Sequence, residues 1–134
     1  MRFMLLQNYG EVESNCPPMT EWNPADIKAH IEFQQVLNQQ LTELGELVDA
    51  QGLAGPEQAK FVVSDGAGAP VITDGPFPES KELLAGYRMV DVETAARAIE
   101  IAAQASAAPG PNGVPIRQPI EVREIMGAPD PDVL

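Results

Sequence analysis

The order of predicted elements along this chain of 134 residues indicates an α+β protein with a ferredoxin-like subunit. Strand and helix patterns follow one another as βαβ, hairpin and βαβ, with an amphipathic helix after the first strand and an alanine-rich helix before the last strand. The length and the hydrophobic content of 44% fit one globular domain. We place this domain at residues 1–126 and expect a loose carboxyl-terminal tail at 127–134.

The first part of the chain is predicted to form a strand, a loop and a long helix. Residues 3–9 alternate loosely as in a half-buried strand, and a loop over 10–23 follows. Pro24 suits the first turn of a helix and Gly45 suits its end, so we expect the helix at 24–44. Its apolar stripe, expected to cover a sheet, consists of Ile27, His30, Phe33, Leu37, Leu41 and Leu44, while Glu32, Gln35, Asn38 and Gln39 lie mainly off it.

The middle of the chain is predicted to contain four strands, at 46–50, 60–64, 69–73 and 83–91. The Asp-Gly-Ala-Gly segment at 65–68 joins two of them as a hairpin turn. Gly86 lies inside the longest strand, where a glycine often marks a bulge or a close approach of two backbones.

The last part of the chain is predicted to contain a helix and a final strand. Asp91 can cap a helix over about 93–105, and the final strand is expected at 120–125. Four prolines make the intervening segment 107–119 largely irregular. The small-residue face that would lie on the sheet consists of Ala95, Ala96, Ile99, Ala102 and Ala103.

Both faces of the predicted central strands carry apolar side chains. In the strand at 83–91, one face has Leu83, Ala85, Tyr87 and Met89, and most of the other has Leu84, Gly86 and Val90. In the first strand, Phe3 and Leu5 similarly oppose Met4 and Leu6. Because two helices can cover only one face of such a sheet, we expect a second copy on the other face, and therefore a homodimer.

The charge and the cysteine content narrow the possible partners. With 20 acidic and 8 basic side chains the net charge is −12, which disfavours binding to nucleic acid or to an anionic membrane surface.

Cys16 is the only cysteine, so no internal disulfide can form. The apolar run at the amino terminus is too short for a signal peptide or a membrane span. We therefore expect a cytoplasmic protein. One histidine and one cysteine give no recognisable metal-ligand spacing, and we expect no metal or other cofactor.

His30 is the only histidine of the chain, and it lies in the middle of the apolar stripe of the first helix. It can be a core imidazole with one nitrogen bonded to a neighbour, or a general acid or base, because histidine titrates near neutral pH. Asp74 is its natural partner, since the Asp-Gly-Pro-Phe turn at 74–77 ends a strand and fixes the direction of the carboxylate. The spacing alone does not show that the two side chains meet.

Three stretches of the chain resemble the YCII-related (DGPF) domain family. They are Arg-Phe-Met-Leu-Leu at 2–6, Asp-Gly-Pro-Phe-Pro-Glu-Ser-Lys-Glu at 74–82 and Leu-Ala-Gly-Tyr-Arg-Met-Val-Asp-Val at 84–92, and the similarity extends to about residue 125. The resemblance implies a dimeric α+β barrel in which the sheets of two subunits pack together. It also implies a His–Asp pair in a pocket, carried here by His30 and Asp74.

The chemistry known for this family is proton transfer on small ring or enol-type compounds, including elimination, without a redox cofactor. The resemblance therefore implies a cofactor-independent lyase or isomerase that uses the His–Asp pair. The alternative is a non-catalytic dimeric module that binds a small ligand or a partner protein, for example as a regulatory partner.

Four further residues are candidates for contacts with a substrate. Tyr9 ends the first strand and can line the pocket or close the core, and Phe77 can stack on a ligand or anchor the turn. Lys81 can bind an anionic group of the substrate or belong to a solvated charged turn. Arg88 points to one face of a central strand, so a buried position would require an acidic partner from the protein or from the substrate.

Overall fold

The computed structural model describes residues 1–10, 19–75 and 82–132, with only the backbone at residues 9, 10, 82 and 83. The helices and strands are β1 (Arg2–Gly10), α1 (Pro24–Glu43), β2 (Leu47–Gly52), β3 (Lys60–Val63), β4 (Val71–Asp74), β5 (Glu82–Asp91), α2 (Ala95–Ser106) and β6 (Ile120–Glu124). Four strands form an antiparallel sheet in the order β2-β5-β1-β6, and β3 pairs with β4 as a separate hairpin. This mixed α+β architecture is compatible with the predicted ferredoxin-like subunit with an inserted hairpin.

The bounds of α1 follow from local sequence signals. The side chain of Asn23 accepts a hydrogen bond from the backbone N–H of Asp26 at 2.9 Å, and Pro24 occupies the first turn. The helix ends one residue before Leu44, and Gly45 takes a positive φ of 72°, which favours glycine. Leu44, predicted on the apolar stripe, is 65% exposed because it lies beyond the last helical residue.

The core lies between one face of the sheet and both helices. Phe3 and Leu5 of β1 and Val90 of β5 are buried there against Leu37 and Leu41 of α1. Helix α2 adds Ala98, Ile101, Ala102 and Ala105 to the same cluster. Each fully buried leucine or phenylalanine side chain contributes roughly 1.5–3 kcal/mol to folding, so this cluster is the main source of stability.

Two predictions for α2 were wrong. Thr94 caps the helix by accepting a hydrogen bond from the backbone N–H of Arg97 at 3.1 Å, whereas Asp91 accepts one from the terminal ammonium group at 3.3 Å. The buried face contains Ile101 instead of Ile99, which is 59% exposed, and of the predicted face only Ala102 is buried. Both stripes of the helix consist of alanines and one isoleucine, so hydrophobicity alone does not distinguish them.

The opposite face of the sheet carries half-buried apolar side chains. Met4 and Leu6 alternate with the core residues of β1 and therefore point away from the helices. They lie directly opposite Met89 and Tyr87 of β5. This is the face for which the sequence predicts a second copy, and the homodimer stays a prediction. No helix within the described ranges is long and apolar enough to cross a membrane.

Candidate functional site

A cavity of about 220 Å³ lies between α1 and the sheet. Helix α1 contributes His30, Gln34 and Asn38, which are spaced by four residues and therefore share one face of the helix. The remaining lining residues come from three strands of the sheet and are Gln7, Ala50, Gln51, Gly52, Tyr87 and Arg88. None of these residues carries a carboxylate.

Gly86 brings β2 and β5 close together beside the cavity. A Cβ atom at this position would lie 2.9 Å from the carbonyl oxygen of Gln51 and 3.3 Å from the Cα atom of Gly52. The pairing of β5 with β1 shifts by one residue here, so that Ala85 is the extra residue of a bulge. Both expectations for this glycine, a bulge and a close backbone approach, are confirmed. Strand β2 extends to Gly52, beyond its predicted end, because Gly52 pairs with Gly86.

Arg88 is buried, with 6% of its surface exposed, yet it forms no ion pair with any described residue. Its Nε donates to Oδ1 of Asn38 at 2.7 Å, and its Nη2 donates to Oε1 of Gln34. Burial lowers the pKa of Arg88, but a guanidinium group remains charged in proteins. The cavity therefore contains a positive charge whose described partners are neutral amides.

His30 is also buried, and its ring points inward as the sequence predicts. Its Nδ1 lies 3.0 Å from the carbonyl oxygen of Pro109, and its Nε2 lies 3.4 Å from the amide nitrogen of Gln34. The ring meets Trp22 edge-on, with 5.5 Å between the ring centroids. The imidazole is thus held on one side by the irregular segment after α2 and borders the cavity on the other.

Asp74 lies at the end of β4, in the hairpin, and its side chain is 78% exposed. Its carboxylate forms an ion pair with Lys60, the residue opposite it in the hairpin. It does not line the cavity, and within the described ranges no hydrogen bond joins it to His30. The pairing of His30 with Asp74 therefore stays a prediction.

The structure thus brings two predicted site residues, His30 and Arg88, to one cavity. Phe77 and Lys81 lie outside the described residues, and so does the side chain of Tyr9. Their predicted contacts with a substrate remain predictions.

Two residues of the site were not identified from the sequence. Gln34 and Asn38 follow His30 at intervals of four on α1, and this spacing is the signal that could have found them. The 100° spacing of residues along a helix predicts that Asn38 lies mainly off the apolar stripe. In the structure it is half-buried and accepts a hydrogen bond from Arg88, a residue 50 positions further along the chain.

Tyr87 alternates with Arg88 along β5, so its hydroxyl group lies on the face of the sheet away from the helices. It donates to Oδ2 of Asp49 at 2.9 Å, and Asp49 also accepts from the side chain of Gln51 at 3.1 Å. The hydrogen bond between them lowers the pKa of Asp49 and raises the pKa of Tyr87. The carboxylate of Asp49 is therefore engaged by Tyr87 and Gln51, and it does not pair with Arg88.

Within the described part of the chain, no group of three or more His, Cys, Asp or Glu side chains is placed to hold a metal ion.

Comparisons with known proteins agree with the resemblance seen in the sequence. No curated protein matches the chain. The model of the YCII-related domain matches residues 1–121, which include every described residue that lines the cavity. The chain therefore belongs to the YCII-related domain family.

Proposed function

We propose that the cavity between α1 and the sheet binds a small cyclic or enol-type compound, and that His30 moves a proton to or from it. The protein would then act as a cofactor-independent lyase or isomerase. The observation that supports this proposal best is that an imidazole and a buried guanidinium, which pairs with no carboxylate of the described residues, border the same cavity.

The two groups have complementary roles in such a reaction. His30 would accept a proton from a carbon next to a carbonyl group, breaking the C–H bond and forming an N–H bond. The electron pair would move into an enolate, whose negative charge the guanidinium of Arg88 would stabilise. Return of the proton to a different carbon gives an isomerase, and departure of a group from the neighbouring carbon gives a lyase.

The size of the cavity limits the substrate. Its volume of about 220 Å³ corresponds to about seven water molecules, at roughly 30 Å³ each in the liquid. This volume is below the range of about 300–1,000 Å³ typical of sites for drug-sized ligands. A compact metabolite with one carbonyl or carboxyl group fits this space better than a nucleotide or a peptide.

In this proposal Asp74 orients His30, as the family resemblance implies, and Tyr9, Phe77 and Lys81 contribute contacts with the substrate. To reach His30, the carboxylate of Asp74 would have to leave Lys60, with which it pairs in the hairpin. Asp74→Asn is the direct test, because loss of a residue that orients a catalytic base lowers turnover without preventing binding. Lys60→Met, which removes only the competing partner, is the matched control.

The homodimer belongs to the same proposal. The face of the sheet opposite the helices has half-buried Met4, Leu6 and Met89 at its centre, which suits contact with a second sheet. The family resemblance, which implies a dimeric barrel, supports the same arrangement.

The experiment that tests the catalytic proposal is proton exchange in D₂O. The purified chain would be incubated with a panel of small 2-oxo acids, 3-oxo acids and lactones, and loss of the C–H signal would be followed by NMR. We expect at least one compound to exchange faster with the wild-type chain, and His30→Gln to abolish the acceleration. Exchange that continues unchanged in His30→Gln would contradict the proposal.

A binding module without catalysis is the second candidate, and the exposed, Lys60-paired position of Asp74 favours it. It predicts that compounds of the panel bind to the cavity but do not exchange. Saturable binding without exchange for the whole panel would therefore decide for this candidate.

A further inference from the structure

The side-chain amide of Gln34 lies between Arg88 and His30 and contacts both. A guanidinium group has only N–H donors, so the oxygen of the amide must face Arg88. The amide nitrogen then faces Nε2 of His30, at 3.4 Å, and can only donate to it.

This arrangement determines which ring nitrogen of His30 carries the proton. The carbonyl oxygen of Pro109 can only accept, so Nδ1 must be protonated to bond to it at 3.0 Å. The amide nitrogen of Gln34 can only donate, so Nε2 must be unprotonated. Two independent contacts thus favour the same neutral tautomer, in which Nδ1 carries the proton and the lone pair of Nε2 accepts the N–H of Gln34.

We propose that the cavity is a binding site for a small carboxylate, which takes the place of Gln34 on Arg88, and that Gln34 positions the proton of His30. This inference rests on the proposed function and names the class of its substrate. A carboxylate accepts stronger, charge-assisted hydrogen bonds from a guanidinium than a neutral amide does, and it can accept two in parallel. Binding therefore releases the oxygen of Gln34.

The released amide can serve both protonation states of His30. Before the carboxylate binds, its nitrogen donates to the lone pair of Nε2. Once its oxygen has been displaced from Arg88, the amide can turn away, which leaves that lone pair free to accept the proton of the substrate. After transfer, a rotated amide offers its oxygen to the new Nε2–H, so that the imidazolium is held in place. Occupation of Arg88 by the substrate is thereby coupled to the ability of His30 to accept a proton.

The composition of the site supports a carboxylate as the ligand. The chain has 20 acidic residues, yet Arg88, the most buried cation among the described residues, has the amides of Gln34 and Asn38 as its described partners. A structural arginine is more commonly paired with an acidic side chain, because an unpaired buried charge is costly. Neutral partners leave the charge of Arg88 available to an incoming anion.

The test uses the full chain and its single histidine, which gives one pair of ring ¹⁵N signals in an NMR spectrum. Acetate is the probe, and acetamide, which has the same shape without the charge, is the control. We expect the free protein to show the Nδ1–H tautomer. Acetate at constant ionic strength should shift both the His30 signals and the Arg88 Nε–H signal, and acetamide should leave them in place. An Nε2–H tautomer, or an equal response to acetamide, would overturn the proposal.

Three variants separate the parts of the proposal. Arg88→Lys keeps the charge but loses the two-pronged geometry, and should weaken acetate binding at least tenfold. Gln34→Glu supplies an internal carboxylate, and should abolish the response to acetate. Gln34→Met should retain acetate binding while His30 no longer responds to it. An unchanged His30 response in Gln34→Met would overturn the role of Gln34, and unchanged acetate binding in Arg88→Lys would overturn the carboxylate site.

The proposed function and this inference can fail separately. Acetate binding with the expected His30 response, but no proton exchange with any compound of the panel, would refute only the catalytic proposal. If the rate of proton exchange depends on His30 but is unchanged in Arg88→Lys and Gln34→Glu, only the carboxylate site is refuted.

Discussion

Arg88 reaches the cavity from β5 and His30 reaches it from α1, and the two are connected through the single side chain of Gln34. The connection joins a cation that lacks an acidic partner within the described chain to an imidazole whose two contacts favour the Nδ1–H tautomer. The positive charge in the cavity and the position of the proton on the His30 ring therefore depend on the same small group of residues.

The stability of the protein should not depend on the charge of Arg88. We expect Arg88→Met to change the free energy of unfolding by no more than about 1 kcal/mol, because replacing a buried charge by an apolar side chain of similar length removes its desolvation cost. Urea unfolding followed by circular dichroism measures this change. Arg97→Met is the control, since it leaves the half-buried carboxylate of Glu46 without its partner and should cost about 1–3 kcal/mol. A larger loss for Arg88→Met than for Arg97→Met would show that Arg88 is mainly structural.

The ion pair between Glu46 and Arg97 should make stability depend on pH. Hydrogen bonds from Arg97 lower the pKa of Glu46 below its value in the unfolded chain. The pair therefore stabilises the fold above the unfolded pKa of about 4.3–4.5, and this contribution is lost as the pH falls through the lower pKa of the folded state.

Glu46→Gln isolates this contribution. We expect it to destabilise the protein by about 1 kcal/mol at pH 7, and by progressively less as the pH falls through the lowered pKa of Glu46 in the folded state, because the wild-type carboxylate is then also protonated. Glu100→Gln removes the other, more exposed partner of Arg97 and should cost less than about 0.5 kcal/mol. If the difference in the free energy of unfolding between wild type and Glu46→Gln stays constant from pH 7 to pH 3, the ion pair is not the source of this pH dependence.

The close approach of β2 and β5 beside the cavity should not tolerate a methyl group at Gly86. Gly86→Ala places a Cβ against the backbone of Gln51 and Gly52, so we expect the free energy of unfolding to fall by about 1–3 kcal/mol. We also expect weaker acetate binding, because β2 must move to make room. Gly52→Ala, whose Cβ would meet no atom within 4 Å, should change stability by less than about 0.5 kcal/mol. Thermal unfolding of the two variants measures the contrast, and equal melting temperatures would argue against the strand contact.

The face of the sheet away from the helices should mediate dimer formation. We expect sedimentation at micromolar concentration to give about twice the 14.4 kDa mass of one chain, and Met89→Lys to give the mass of one chain. Ile99→Lys, on the exposed side of α2, should remain dimeric. A wild-type chain that sediments as a monomer, or a dimer that is lost in both variants alike, would contradict this assignment of the interface.

Sequence signals determined the elements whose ends depend on local chemistry. The start of α1 follows from Asn23 and Pro24, and its end follows from Gly45. The alternation along β1 separates the core residues Phe3 and Leu5 from their neighbours. The face of α2 could not be predicted in this way, because Ile99 and Ile101 offer equivalent stripes and only contact with the sheet selects one.

The candidate site was predicted in part for a related reason. The inward direction of His30 follows from its position on the apolar stripe of α1. Gln34 and Asn38 are polar, and in the sequence they are typical of an exposed helix face. Only the folded structure shows that Arg88, from a distant strand, donates hydrogen bonds to both. For Asp74 the turn predicts the end of the strand, but only the register of the hairpin shows that Lys60 lies opposite it and forms an ion pair with it.

Labelling with bromoacetate tests the central claim most directly, because the reagent needs both a cation to bind its carboxylate and a nearby nitrogen lone pair to attack. The Nε2–C bond forms as the C–Br bond breaks and bromide leaves. In a Cys16→Ser background, we expect peptide mass spectrometry to find carboxymethylated His30, formed faster than with neutral bromoacetamide, slowed by acetate and strongly reduced in Arg88→Met. His30 that reacts equally with both reagents, or with neither, would contradict the account.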